Sequence, residues 1–284
     1  MGRHEDPVVP DDVTGAELDR QVRGELGTLS RDNAVGVAQH LVMVGRLLED
    51  DPEAAYAHAM AAQRRAGRVA VVREAAGLAA YRIGRYDEAL RELRTARRLT
   101  GSHDHLPLMA DCERGLGRPE RALAMLASAE ASALDRSGAL ELLIVAAGAR
   151  LDLGQAEAAV VMLEVPELTA PPAPATAEAQ ARLMSAYADA LEAAGRPDDS
   201  RTWLERAAAV DVEDVTGAAG RLGSDAEGAD IVDLLEDEDE DGDDPDPDPH
   251  PDADADLARA DVDAEVRTGA SEGDGDGASS EDRE

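Results

Sequence analysis

Apolar residues recur along most of this chain at steps of three and four, and the runs are interrupted at similar distances by glycine. Ala89, Leu93 and Ala96 follow that rhythm, as do Ala122, Leu126 and Ala129. Spacing of this kind gathers side chains on one face of a helix with 3.6 residues per turn, so amphipathic helices are predicted. The interruptions are themselves alike. Residues 81–90, YRIGRYDEAL, and 114–123, RGLGRPERAL, both carry Gly fourth, Arg fifth, Ala ninth and Leu tenth, at a separation of 33 residues. LDLGQAEAAV places Gly154 37 residues beyond Gly117, and EAAGRPDDSR places Gly195 41 further on. Upstream, in EDDPEAAYAHA, Asp50 stands 34 residues before Gly84, with Pro52 suited to the first turn of a following helix.

Five units of two antiparallel helices are therefore expected, over 36–69, 70–102, 103–139, 140–180 and 181–213. One helix pair cannot bury its apolar face alone, so neighbours must stack into a continuous core. The residues assigned to that packing are Gly77, Gly84, Ala89, Leu93, Ala96, Gly117, Ala122, Leu126, Ala129, Gly154 and Gly195. Before the first unit, Thr14 and Glu17 form a capping-box pattern, with Val13 placed to staple onto Leu18 and then Val22 and Leu26 at steps of four. Residues 14–35 are thus predicted as a capping helix and connection, after a disordered stretch over 1–13. Between the fourth and fifth units, PELTAPPAP (166–174) must end the preceding helix. A protruding loop is favoured there over a hinge, because the helices on both sides keep their pattern.

With these positions in hand, the chain resembles the tetratricopeptide repeat (TPR) family, whose 34-residue signature is W-x2-L-G-x2-Y, A-x3-F and P. In residues 70–102 the signature positions hold Arg73, Ala76, Gly77, Ala80, Ala89, Leu93 and Gly101. In 103–136 they hold Leu106, Met109, Ala110, Glu113, Ala122, Leu126 and Leu134. The small packing residues match, Leu replaces Phe, and Trp, Tyr and Pro are lost. The resemblance spans about 36–213, and with its acidic tail the chain is similar to TPR proteins of actinobacteria. It implies an all-α, right-handed solenoid that binds a protein segment in a groove lined by first helices. The groove positions are then His40 and Val44, Glu74, Leu78, Tyr81 and Arg82, and Asp111 and Arg114. Their mixed character suits a segment with apolar and charged positions. Only scattered Arg match the Lys, Asn and Arg constellation with which some TPR proteins hold chaperone C-termini.

Composition supports the helical reading. The 284 residues include no Phe, one Trp and four Tyr, so the core must be built largely from Ala, Leu and Val. All 28 basic residues are Arg, and the absence of Lys excludes P-loop, Schiff-base and general-base lysines. The single Cys112 cannot form an internal disulfide, no export signal is evident, and the longest central apolar run, 142–149, is far below the roughly 18 residues of a membrane span. A soluble cytoplasmic protein is expected.

Charge divides the chain in two. Residues 211–284 carry 29 acidic and 4 basic residues, a net charge of −25, whereas 1–210 carry 33 and 24, or −9. Such self-repelling sequence buries nothing, so 214–284 is predicted to be a disordered tail, solubilising or autoinhibitory. Within it ADIVDLLE (229–236) could form a short helix. Asp237, Asp239, Asp241, Gly242 and Asp248 imitate a calcium loop that Pro245 and Pro247 interrupt, which marks a chance match.

Candidate chemistry is sparse. His103, Asp104 and His105, with Asp111 and Cys112 nearby, lack a second ligand cluster and read as polar turn residues. His40 and His58 lie on successive helices and could approach one another. No GxSxG, GxGxxG or HExxH motif occurs, and no catalytic, cofactor or metal residue is assigned. Residues 60–125 hold 13 Arg against 8 acids, with Arg91, Arg94 and Arg98 along one helix face. That stripe could be merely solvated, attract the acidic tail, or contact nucleic acid. The expected function is a non-enzymatic adaptor for protein partners, the alternative being a nucleic-acid-associated adaptor using the Arg stripe.

Overall fold

The structure is a computed structural model that describes residues 6–171 and 176–223. Among them the chain is all-helical, with eleven α-helices and no strand. These are α1 (Arg20–Glu25), α2 (Arg31–Leu47), α3 (Pro52–Ala66), α4 (Ala70–Arg82), α5 (Tyr86–Thr100), α6 (Leu106–Gly115), α7 (Pro119–Leu126), α8 (Arg136–Asp152), α9 (Ala156–Leu163), α10 (Ala177–Ala193) and α11 (Pro197–Val210). A further helical stretch covers 218–223.

Four of the turns between helices are one structure repeated. Gly84, Gly117, Gly154 and Gly195 have φ of 73°, 69°, 69° and 75°, the left-handed region that only glycine enters freely. At each, the glycine N–H donates to a carbonyl three residues back, and the next residue's N–H reaches the carbonyl five back. The first copy bonds Gly84 to Tyr81 at 2.9 Å and Arg85 to Ala80 at 2.8 Å, and the other three share the pattern. This is the Schellman arrangement, which satisfies the last carbonyls of a helix while reversing the chain. The following residue, Arg85, Arg118, Gln155 or Arg196, has ψ between 54° and 62°, and the second helix starts immediately after it. Asp50 does not complete the series. The only non-glycine with positive φ among the described residues is Asp214, and the α2–α3 turn is closed instead by Asp51, whose side chain accepts from Ala54 N–H at 3.0 Å ahead of Pro52.

Each helix packs on the next from α2 to α11, and α6 and α10 also pack on α8. The buried clusters follow chain order: one around α2 to α4, one joining α4, α5 and α6, one joining α6, α7 and α8, and a large one from α8 to α11. Their largest fully buried side chains include Leu90, Leu93, Leu142, Leu163, Leu183 and Leu191, each contributing about 1.5–3 kcal/mol. Small residues set the interhelix distance. Ala89, Ala96 and Ala122 are fully buried, and a Cβ on Gly77 would stand 2.7 Å from Leu93 Cδ2. Leu126 is half-buried and ends α7, while Ala129 lies beyond the helix and is exposed, contrary to its predicted packing role. Beyond the helix end the Ser128 hydroxyl donates to the Met125 carbonyl at 2.7 Å, a carbonyl that a continuing helix would have bonded to Ala129 N–H.

Several boundaries differ from expectation. Helices α2, α8 and α10 start at Arg31, Arg136 and Ala177, ahead of units predicted from 36, 140 and 181. For α8 the start is set by Asp135, which accepts from Gly138 N–H at 2.8 Å. Glu17 makes its half of the capping box, accepting from Thr14 N–H at 3.0 Å, but the Thr14 hydroxyl donates to the same carboxylate and accepts from Ala16 N–H instead, closing a turn at left-handed Gly15. The helix itself, α1, is capped by Asp19. Residues 6–13 are not a loose terminus: Val13 is buried, Asp12 pairs with Arg46 at 2.9 Å, and Asp6 receives both Arg64 and Arg65 at 2.6 Å. Those two guanidiniums hold the Asp6 carboxyl down to about 2.

The first part of the predicted tail is also folded. The Asp211 carboxylate accepts from Val215 and Thr216 N–H at 2.9 and 2.8 Å, and Ala218 is fully buried in the last cluster. The predicted loop at 166–174 begins as a 3-10 turn, Pro166–Leu168, with Leu168 buried and Gln180 Nε2 donating to the Glu167 and Ala170 carbonyls. Residues 172–174 of that loop, the 229–236 segment, the calcium-like run and the tail from 224 onward lie outside the described residues.

Glycines at different contacts should respond oppositely to one methyl group. Gly45 lies exposed in α2 with open space at its Cβ position, so Gly45→Ala should stabilise the fold by about 0.5–1 kcal/mol. Gly77→Ala should destabilise it by about 1–3 kcal/mol through collision with Leu93. Urea unfolding followed by helix circular dichroism measures both.

Candidate functional site

Four of the eight residues assigned to a groove do line one. Leu78, Tyr81 and Arg82 from α4 and Asp111 from α6 border a cavity of ≈ 640 Å³ with Leu108, Val145, Glu141, Glu178 and Arg182. Arg82, Glu141, Glu178 and Arg182 also line a second cavity of ≈ 770 Å³ that extends to Ile144, Ala186 and Thr216. The two form one trough along α4, α6, α8 and α10, the helices that precede the glycine turns. Its lining combines apolar side chains with charged ones.

Arg114 lies in an adjoining recess with Tyr86, Gly115 and Asp152, and Glu74 stands 3.6 Å from His105 Nε2. His40 and Val44 do not face the trough. Both are 4 % exposed, and with Val37 and Leu41 they lie at steps of three and four on the seam that α2 turns toward its neighbours. Glu141, Glu178 and Arg182 were not identified from the sequence. They lie in the fourth and fifth units, where the TPR signature is weakest.

A polar chain fastens the first helices together. Tyr81 Oη donates to Asp111 Oδ2 at 2.5 Å, and Arg114 Nη1 donates to Asp111 Oδ1 at 2.8 Å. Arg114 also grips Asp152 of α8 through Nε at 2.8 Å and Nη2 at 3.2 Å. A Cβ on Gly148 would lie 2.6 Å from the Arg114 guanidinium carbon, so the absence of a side chain there makes room for the fork. Burial first, and then the Asp111 carboxylate, raise the Tyr81 phenol, which stays protonated and donating. Arg114, held between two carboxylates, has little capacity left for an anionic ligand.

The trough carries more carboxylates than cations. Its first part presents Asp104, Asp111, Asp135, Glu141 and Glu178 against Arg82 and Arg182. Arg82 is paired with Glu49, and Arg182 is divided between Glu178 at 2.8 Å and Glu141 at 3.6 Å. Burial raises the Glu141 carboxyl above its usual range, with Glu178 adding to the effect and Arg182 opposing it.

The Arg stripe is largely occupied. Arg91 is paired with Asp87, and Arg98 donates to Thr95 Oγ1 at 3.2 Å. Arg94 reaches across to α6, where the nearly fully buried Glu113 receives it at 2.8 Å and also draws Arg118 to 3.4 Å and Arg121 to 3.8 Å. Cys112 beside it is buried, and burial pushes the thiol up to about 12, leaving it protonated and unreactive. Among the described residues no group of three or more His, Cys, Asp or Glu is arranged to hold a metal ion, His103 to His105 included. Trp203 packs edge-on to Tyr187 at 5.1 Å within the last helix pair, under the Arg206 guanidinium. No described helix is long and apolar enough to cross a membrane.

His40 and His58 do meet. Their Nδ1 atoms are 2.9 Å apart in a buried seam, so one neutral ring donates to the other. Burial, and then repulsion by a charged His58, hold the His40 ring down to about 4, and burial lowers His58 as well. No protein-family model matches the chain, and no curated protein matches it.

The histidine pair makes stability pH-dependent in one direction. Both rings are neutral when folded and titrate near 6.5 when unfolded, so protons favour the unfolded chain as pH falls. The melting temperature should therefore drop between pH 6.5 and about 4, and nitrogen NMR should show His40 neutral through most of that window. A His40 titration at its ordinary value would contradict the buried pair.

Proposed function

We propose that this chain is a non-enzymatic adaptor of the TPR type, whose five helix pairs stack as a solenoid and hold a protein segment along their first helices. The trough carries this reading: four helices contribute apolar and charged side chains to one continuous surface. Two features support the repeat assignment. Four hairpins share one glycine turn, and Gly77 meets Leu93 where the TPR signature has its glycine and its second-helix aromatic residue. A reducing cytoplasm suits the single buried Cys112. The acidic tail is assigned a solubilising or autoinhibitory role from its charge alone. The nucleic-acid reading draws less support, because Arg91 and Arg94 already hold carboxylates.

Site-specific photocrosslinking tests the assignment. A crosslinking side chain at Leu78 in the full chain should yield discrete protein adducts in cell extract that survive nuclease, whereas one at Arg98 should not. Adducts confined to position 98 and lost with nuclease would move the function to the Arg surface.

A further inference from the structure

We infer that the occupant of the trough is a cationic amphipathic protein segment, presenting Arg or Lys beside apolar side chains. The inference rests on the groove reading above and adds the chemistry of the partner. Leu78, Leu108 and Val145 supply an apolar part of the lining that gains only from apolar contact. A small polyvalent cation has nothing to place there.

The charged side chains decide the sign. Five carboxylates face two guanidiniums in the first cavity; both guanidiniums are engaged by carboxylates, and of the five acids Asp111 is also held by Arg114 and Asp135 caps α8. Glu141 is partly buried and only loosely paired. Its side chain is 30 % exposed, and Arg182 stands 3.6 Å away, beyond hydrogen-bond range. An arriving guanidinium or ammonium would give it a charge-assisted hydrogen bond and a close counter-charge. Burial raises its titration even with Arg182 opposing the shift, as befits a partly desolvated carboxylate. An acidic segment would instead add like charge to a half-desolvated lining, a repulsion that discriminates against the wrong partner. Nucleic acid is disfavoured at this surface by the same sign.

The test uses the full chain and a random peptide display library at physiological salt. Bound peptides are sorted by whether they lose affinity for Leu78→Ala, which separates trough binders from peptides held elsewhere. The proposal expects the Leu78-dependent class to be enriched in Arg or Lys interspersed with apolar residues. Synthetic members of that class should bind Glu141→Arg at least about tenfold more weakly, with a smaller loss for Glu141→Gln. The Gln variant keeps the test decisive should the Arg variant fail to fold. Leu78-dependent peptides that are acidic or uncharged would overturn the inference and leave the groove function standing. Cationic peptides indifferent to both positions, displaced equally by spermidine, would show association with acidic sequence elsewhere and overturn the inference. A library yielding no Leu78-dependent class would overturn the groove function as well.

Discussion

The architecture depends on one backbone conformation, a glycine held in the left-handed region two residues past the end of a helix. At Gly84, Gly117, Gly154 and Gly195 it lets two N–H groups return to the carbonyls of the helix just completed, so the reversal leaves few polar groups unpaired. The next helix then begins two residues later, after a residue with ψ between 54° and 62°. Four helices, α4, α6, α8 and α10, end this way, and the same four supply the trough. A turn geometry repeated in the backbone thus becomes a continuous surface.

Small residues and paired charges do complementary work on this frame. Alanine and glycine at the seams bring backbones close, which concentrates dispersion contacts in a chain without phenylalanine. Close helices also bring long polar side chains within reach of the next first helix. Tyr81, Asp111, Arg114 and Asp152 link α4, α6 and α8, while Arg182 of α10 approaches Glu141 of α8. Cations are consumed in holding the helices together, and the carboxylates left over give the trough its sign. Part of the Arg-rich composition of the middle of the chain is paired in the same way: buried Glu113 draws the solvent-facing guanidiniums of Arg94, Arg118 and Arg121 to within 3.8 Å.

What the sequence revealed follows from how local each cause is. Glycine turns were legible because φ above zero is nearly a glycine property, and Asp50 failed as a substitute because Asp51 closes that turn by side-chain capping. The Thr14 and Glu17 pattern anticipated one of two capping bonds and the wrong element, since Gly15 bends the chain before a helix can start. The ends were misjudged for a non-local reason. Asp6 is fixed by arginines 58 and 59 residues away, and Arg221 reaches Asp189, contacts that composition within a window cannot show. In the trough, Leu78, Tyr81, Arg82 and Asp111 were recoverable from units with clear repeats. Glu141, Glu178 and Arg182 were hidden in units whose spacing is stretched, and His40 and Val44 share the heptad-like rhythm of a buried seam.

The role of the glycine turn can be measured in isolation, because a Cβ at any of the four positions meets nothing within 4 Å and only the backbone conformation is challenged. Gly84→Ala, Gly117→Ala, Gly154→Ala and Gly195→Ala, each compared with the unaltered chain by equilibrium unfolding, should all destabilise the fold, by about 1–2 kcal/mol each. Near-equal losses at the four sites are the predicted result. Neutral or stabilising substitutions at any of them would contradict the claim that one left-handed turn, used four times, shapes this protein.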